Sequence, residues 1–446
     1  MKKKIGVVSL GCPKNLVDSE IMLGLLQKDN YEITSDQNDA DIIIVNTCGF
    51  IESAKQESIN SILEMAEYKK KKCKLLIVTG CLAERYKSMI LEEMPEVDAV
   101  IGTGDYGRIT SVIESAYNGE RIIHYGHLDE IGYLENTRLI STGKGYAYLK
   151  IAEGCDNCCT YCIIPSLRGR YRSRRIEDIL KEAEALVKSG IKEVILVAQD
   201  TTRYGIDIYK ERKIVDLIRE LSGIAGLEWI RLLYCYPEEI DERLINEIAV
   251  NNKVCKYLDI PIQHISDRIL KAMGRRGSSE EIKALMRKLR ERIPGIIIRT
   301  TFIVGFPGED EKDFDLLYEF VKEYRFDKLG VFTYSKEEDT PAAKMKNQIK
   351  SKDKQERHNR IMSLQRDIAI ESSAARIGKV YRTLVEGISD DGIFYYGRTY
   401  AEAPEIDAEV YFTSPEPLEH GDMINIKVLN TQEYDLIGEV TNEFTE

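Results

Sequence analysis

Between Glu153 and Arg175 the chain reads EGCDNCCTYCIIPSLRGRYRSRR, and within it Cys155, Cys159 and Cys162 form a C-x3-C-x2-C run. Thiolate is the soft ligand that iron–sulfur clusters prefer, so three thiolates on one loop can hold three irons of a four-iron cluster. The fourth iron is then open to a small molecule. Tyr161 lies between the last two cysteines, where its ring can cover whatever binds there. Zinc is the plainer alternative. Structural zinc takes four protein ligands, commonly on paired C-x2-4-C knuckles, and no second knuckle follows. Cys158 offers a competing C-x2-C with Cys155, but only Cys159 completes the spacing, so Cys158 reads as a bystander.

The region before this loop repeats a simple unit. IGVVSL (residues 4–9), DIIIVNTC (Asp41–Cys48) and KLLIVTGC (Lys74–Cys81) are short apolar runs. Helical patterns follow over Asn15–Gln27, Glu52–Tyr68 and Ala83–Glu93, and a fourth short strand is expected at Ala99–Ile101. Short buried strands alternating with helices predict an open parallel sheet. Cys12, Cys48 and Cys81 each fall just past the carboxyl end of a strand. In an open parallel sheet those ends lie side by side, and ligands bind there. One such cysteine is most simply a small buried hydrophobe. Three at one topological position predict a second iron–sulfur site, with Gly11, Gly49 and Gly80 letting backbone approach it. Cys73, in the lysine-rich run KKKKCK, precedes its strand and stands outside the pattern.

A polar, glycine-containing stretch from Gly126 reads as a linker. Six strands then alternate with helices: Tyr146–Ala152, Glu193–Ala198, Glu228–Tyr234, Lys256–Ile262, Ile296–Val304 and Lys328–Tyr334. Six βα units predict a partial barrel, with the cysteine loop after its first strand on the carboxyl-end face. Gln199-Asp200, PIQH (Pro261–His264) and GFPGE (Gly305–Glu309) follow later strands at that face. His264 is either a base or a structural group. The arginines at 168, 170, 172, 174 and 175 either neutralise an anion near the cluster or form a solvated helix entrance. Ser335 to Gly378 is charged and helical, and five short strands after it predict a small β-barrel.

The chain has 446 residues, 43% hydrophobic and 31% charged, which suits a soluble protein of two or three domains. MKKKIGVVSLGC resembles a lipoprotein signal, but the apolar stretch from Ile5 to Gly11 is at the lower limit for one and also suits a buried strand. No apolar run approaches a membrane span, and a cytoplasmic location is expected. Ten cysteines there predict metal or catalytic roles rather than disulfides.

With its three parts placed, the chain resembles the methylthiotransferase branch of the radical S-adenosylmethionine (AdoMet) enzymes over essentially its whole length. SLGCPKN, VNTCGF, TGCLAERY and EGCDNCCTYCIIP carry the resemblance. It implies an α/β protein with an N-terminal open parallel α/β domain, a central partial (β/α)6 radical AdoMet barrel and a C-terminal small antiparallel β-barrel called TRAM. Expected boundaries are 1–125, a linker at 126–143, 144–335, a helical connector at 336–374, and 375–446. By resemblance two 4Fe-4S clusters are bound, one by Cys12, Cys48 and Cys81 and one by Cys155, Cys159 and Cys162. Tyr161, Gln199, Gln263, Gly305 and Gly308 are the candidate AdoMet contacts. No side chain is assigned a catalytic role, since the family generates its radical by cleaving AdoMet at the second cluster.

One branch of the family methylthiolates an adenosine in tRNA. The other, RimO-like, modifies the β-carbon of an aspartate in protein twelve of the small ribosomal subunit. TGCLAERY, DIPIQHISDRILKAMGR and GRTYAEAPEIDAEVYF resemble the second. Charge favours it too. Residues 373–446 carry 5 Lys and Arg against 15 Asp and Glu, so ten of the chain's twelve excess negative charges lie there. Phosphate contacts dominate nucleic-acid affinity, so an RNA-binding barrel should carry the opposite sign. An acidic one suits a basic ribosomal protein. The expected partners are that protein, an electron donor and a sulfur donor, with tRNA disfavoured and no membrane partner. Two alternatives remain: tRNA methylthiolation, and a non-catalytic iron–sulfur or sulfur carrier docking on ribosomal protein.

Overall fold

Segments without polar alternation form strands buried on both faces, as parallel sheets require. IIIVNT and LLIVTG are buried at every residue. The N-terminal sheet comprises β1 (Lys4–Ser9), β2 (Glu32–Ile33), β3 (Ile42–Thr47), β4 (Leu75–Gly80), β5 (Ala99–Ile101) and β6 (Ile122–His124). All pairs are parallel, in the order β2-β1-β3-β4-β5-β6. Register pairs Ser9 with Asn46 and Thr47 with Gly80, so the carboxyl ends of β1, β3 and β4 lie level. The helix predicted over Ala83–Glu93 is instead two, Cys81–Tyr86 and Ser88–Glu93, broken at Lys87 by its φ of 48°. The computed structural model describes residues 2–143 and 145–442. Lys144, where the barrel domain was expected to begin, and Glu443 and Glu446 of the acidic terminus lie outside the described residues.

The second sheet contains β7 (Tyr146–Lys150), and the antiparallel pair β8 (Ala152–Glu153) and β9 (Arg172–Ser173) brackets the cysteine loop beyond it. The sheet continues with β10 (Glu193–Val197), β11 (Trp229–Leu232), β12 (Val254–Gln263), β13 (Ile297–Val304) and β14 (Lys328–Thr333). Its order is β14-β13-β12-β11-β10-β7, all parallel, a barrel left open between its two edges. Leu149, Leu196, Ile230, Leu258 and Ile298 pack outward against the surrounding helices. Tyr148, Val197, Leu233 and Tyr257 face inward and share a core with Val17 and Ile21 of the N-terminal helix Pro13–Lys28. That helix is therefore buried on two sides, which fixes the first domain against the barrel.

The helix Glu311–Tyr324 behind the GFPGE loop opens on a capping box. Asp310 Oδ1 accepts from the Asp313 N–H at 3.0 Å, and Asp313 Oδ2 accepts from the Asp310 N–H at 3.0 Å. Asp310→Ala is expected to cost about 1 kcal/mol, read as a lower denaturation midpoint.

The long helix Ser351–Ala374 leads to the last domain. Here β15 (Val380–Ile388), β16 (Tyr395–Thr399), β17 (Val410–Thr413), β18 (Met423–Gln432) and β19 (Asp435–Val440) close a barrel in the order β15-β16-β17-β19-β18. Four of its pairs are antiparallel and β17–β19 is parallel. Residues 399–407 plug the amino end of the central barrel. Glu193 accepts from Arg231 Nε at 2.6 Å and from Arg398 Nη2 at 2.8 Å, and Arg231 Nη1 donates to the Tyr400 carbonyl at 2.7 Å. The Tyr257 hydroxyl donates to Asp407 at 2.7 Å, and the Tyr146 hydroxyl to Glu405 at 3.0 Å. Part of the acidic charge thus serves docking within the chain rather than the outer surface.

Candidate active site

Cys12 stands at the N-cap of the helix Pro13–Lys28 after β1, Cys48 directly follows β3, and Cys81 begins the helix after β4. Because β1, β3 and β4 are neighbours with level ends, all three thiols reach one edge of the sheet. A Cβ on Gly11 would stand 2.8 Å from Cys48 Cβ, and one on Gly80 would stand 2.3 Å from Asn46 Oδ1. The glycines therefore let the strand ends pack against one another. Burial, followed by the nearby Cys81 and Cys12 sulfurs, pushes the Cys48 thiol up to about 12. Burial also raises Cys81, against the opposing pull of Arg168. At Cys12 burial is outweighed by Lys14, Arg168 and backbone N–H groups, which hold its pKa below the ordinary thiol value.

The second thiol set lies at the carboxyl end of the barrel. Cys155 and Cys159 are buried, Cys162 is half-buried and Cys158 is exposed. The Asn157 N–H donates to Cys155 Sγ at 3.4 Å, and Asn157 Nδ2 donates to Asp200 at 3.0 Å. The Tyr236 hydroxyl is 4.0 Å from Cys159 Sγ. Burial, then Cys159 and Cys155, pushes the Cys162 thiol up to about 12. Cys155 rises to about 11 for the same first reason, with Asp200 and Cys159 adding to it. Two sets of three buried or half-buried thiols suit centres that accept thiolate, since binding iron replaces the protons that burial favours at Cys48, Cys81, Cys155 and Cys162. Among the described residues no three His, Cys, Asp or Glu side chains gather around a single metal-ion position.

A buried ionic network joins the two sets. Arg168, on the helix Ile164–Arg168 that follows the cysteine loop, donates to Cys81 Sγ at 3.4 Å and also to Asn15 Oδ1. Its Nη1 donates to Asp18 at 2.7 Å and to Glu153 at 3.1 Å. Lys150 donates to Glu153 at 2.8 Å and also to Asp18. Gln199 Nε2 reaches the other Glu153 oxygen at 2.5 Å. Burial alone would raise the Glu153 carboxyl, but Lys150 and Arg168 hold it well below the usual carboxylate range. Ile163 and Leu167 pack on Cys81, completing the bridge.

The sequence candidates fall around this frame. Tyr161 packs in a cluster with Met273, Phe306 and Tyr334. Gln263 lies where the β12–β13 register shifts, with φ 73°, and its Oε1 is buried without a hydrogen-bond partner. Bulges of this kind often re-aim a side chain beside an active site. Gln199 Oε1 is likewise unpartnered. The Cβ side of Gly305 is filled by Lys354, whose Cγ would be 2.3 Å away, whereas Gly308 faces nothing nearer than Arg268 at 3.9 Å. His264 is fully buried and accepts from the Ser266 N–H through Nδ1 at 3.0 Å, while Nε2 makes no hydrogen bond and faces Glu309 Oε2 at 3.6 Å. The five arginines divide. Arg168 and Arg174 are buried in ion pairs, Arg174 with Glu135 and Glu182, Arg172 is half-buried near Asp129 at 3.8 Å, and Arg170 and Arg175 are exposed. Sequence reasoning missed Asp18, Lys150 and Glu153 altogether. Three charged residues inside apolar runs were the available signal, since such residues are rarely buried unless paired.

Residues 4–102 match the model of Uncharacterized protein family UPF0004, residues 149–321 that of the Radical SAM superfamily, and residues 377–441 that of the TRAM domain. The fold is similar to that of a radical S-adenosylmethionine methyltransferase, TsrM, from Kitasatospora setae, with a TM-score of 0.57 at 14% identity over 77% of each chain. It also resembles the cobalamin-dependent S-adenosylmethionine radical enzyme OxsB, with a TM-score of 0.50 at 15% identity over 77% of this chain and 54% of that one. Fold and site together define a radical AdoMet enzyme. The chain is 64% identical to the ribosomal protein uS12 methylthiotransferase RimO of Acetivibrio thermocellus, over 99% of each chain. It is 52% identical to that of a Thermoanaerobacter species over 98% of this chain and 100% of the relative, and 51% identical to that of Clostridium tetani over 99% of each. The chain belongs to the family of ribosomal protein uS12 methylthiotransferases. Among the described residues no helix is long and apolar enough to cross a membrane.

Proposed function

We propose that the chain replaces a hydrogen on the β-carbon of an aspartate in uS12 by a methylthio group, using AdoMet as methyl donor and radical source. The observation that carries this is the presence of two three-thiol sets on separate domains, joined across the Arg168 network. Cys12, Cys48 and Cys81 would hold the auxiliary 4Fe-4S cluster, and Cys155, Cys159 and Cys162 the AdoMet cluster. When bound, the clusters and AdoMet supply the electron, the hydrogen-abstracting radical and the sulfur. That C–H has no useful acidity, which is why general-base chemistry would not serve.

The chain's own task is placement. Glu153, clamped by Lys150, Arg168 and Gln199, accepts from the Gly154 N–H at 3.1 Å and so fixes the entry to the cysteine loop. The unpartnered Oε1 atoms of Gln199 and Gln263 offer acceptors to AdoMet, with Tyr161 and Gly308 beside the loop that would cover it. Cofactor chemistry performs the hard step, and the protein orients reactants and excludes water. An electron donor and a sulfur donor must act from outside, and the cytoplasm is where this substrate is made. The acidic terminal barrel disfavours the tRNA reading.

The test is anaerobic incubation of reconstituted enzyme with AdoMet, reductant, sulfide, uS12 and tRNA, followed by mass spectrometry. A methylthio gain on the aspartate peptide is expected; a gain on adenosine would transfer the chain to the other branch. Cys48→Ala is expected to keep deoxyadenosine formation and lose methylthio transfer. Full transfer by this variant would remove Cys48 from the auxiliary site.

A further inference from the structure

The cations around the two thiol sets have carboxylate partners. Lys150 and Arg168 share Asp18 and Glu153, and Arg299 holds Asp259 at 2.7 Å. Lys14 does not. It is 8% exposed, yet among the described residues no carboxylate lies within ion-pair distance of its ammonium. Its Nζ stands instead 3.2 Å from the centre of the Tyr234 ring. Cys12, Glu153 and Asp259 favour its charge through space, but burying an ammonium without a directly paired carboxylate is costly, so this arrangement is poised for an anion that arrives later.

Tyr234 supplies a second, independent observation. Its φ is 60°, an uncommon conformation for a bulky residue and one that gathers at ligand clamps. The conformation is held from both sides. The Tyr234 N–H donates to Asp259 Oδ2 at 3.1 Å, and its carbonyl accepts from the Thr201 N–H at 3.0 Å. The ring is therefore fixed beneath the ammonium, just past the carboxyl end of β11. Lys14 itself follows Cys12 by two positions, at the start of the helix that packs along the barrel's edge strand β7 and shares its inner core. The free ammonium thus stands between the auxiliary thiols and the barrel interior.

We infer that Lys14, seated on Tyr234, binds the side-chain carboxylate of the substrate aspartate. This rests on the proposed function. A carboxylate is the one charged handle adjacent to the β-carbon, and a cation holding it sets where that carbon lies. An ammonium is a compact charge with several N–H donors, so contact of one side with a ring leaves others for an acceptor. The rival role is balancing the negative charge of the auxiliary centre through Cys12.

The experiment uses full-length, reconstituted wild type, Lys14→Met and Lys14→Arg with paired uS12 peptides, one carrying the target aspartate and one with asparagine in its place. Iron content and the electron paramagnetic resonance signals of both centres are recorded alongside peptide affinity. Lys14→Met is expected to keep its iron and signals, to bind the aspartate peptide roughly 10- to 100-fold more weakly, and to lose its preference over the asparagine peptide. Lys14→Arg should recover part of that preference. An unchanged preference in Lys14→Met, or loss of auxiliary iron with preference intact, overturns the inference and leaves the proposed function standing. A wild type that neither binds nor modifies the aspartate peptide overturns both.

Discussion

Cys159→Ala should reduce reductive cleavage of AdoMet to background while leaving about half the iron in place, because the N-terminal thiol set is untouched. Cys159 is 7% exposed, and its sulfur stands in the field that raises Cys162 and Cys155. Removing it leaves two thiols, too few to hold three irons. Cys158→Ala is the matched control. Cys158 is exposed, and its Sγ meets the Asp156 carbonyl at 3.7 Å. It is expected to retain full cleavage. The measurement is deoxyadenosine by chromatography under dithionite, with uS12 absent, so the result does not depend on the second centre. Loss of cleavage in Cys158→Ala with retention in Cys159→Ala would reverse the register of the loop.

The sequence assigns that register locally. Spacing within eight residues decides it, and the same holds for the strand ends at Cys12, Cys48 and Cys81, each preceded by an apolar run. The six barrel strands were found within two residues of their ends for a similar reason: each is a block of β-branched or aliphatic residues bounded by polar ones. β2 and β6 were missed. They are two and three residues long and exposed or half-buried, so neither burial nor length marks them in the sequence. The break at Lys87 was also invisible, since nothing in ERYKSMI forbids a continuous helix.

What the sequence concealed is long-range pairing. Arg168 stood in a run of five arginines and looked like a group for neutralising cofactor or for solvent. Its partners are Asp18, 150 positions earlier, and Glu153. No periodicity connects residues so far apart, and only the packing of the helix Pro13–Lys28 along the edge strand β7 of the open barrel brings them together. The acidic terminal domain shows the same limit. Its net charge was correctly counted, but Glu402 binds Arg376, and Glu405 and Asp407 accept from tyrosines of the central barrel. The charge argument therefore concerns fewer free carboxylates than the count suggests. Glu402 illustrates the cause: burial alone would raise its carboxyl, but Arg376 and Lys328 hold it at about 2.

Arg168→Leu should cost about 3–5 kcal/mol, the usual consequence of removing one partner from a buried ion network. The side chain is 3% exposed, and its loss leaves two carboxylates, Asp18 and Glu153, facing the single ammonium of Lys150. Volume is a minor factor, since leucine fills part of the space and Ile163 and Leu167 adjoin it. The double variant Arg168→Leu/Asp18→Leu separates charge from packing. It removes one charge of each sign and leaves Lys150 with Glu153 at 2.8 Å, a balanced pair. It should therefore be about 0.5–3 kcal/mol more stable than the sum of the two single losses predicts. Denaturation midpoints of the three variants and wild type give the coupling directly. Strict additivity would mean that Arg168 acts through Glu153, the Cys81 sulfur and Asn15 rather than through Asp18. Positive coupling would mean that the contact between the two thiol-bearing domains is held by charge balance, so that altering any one of the four charges moves the two sites relative to each other.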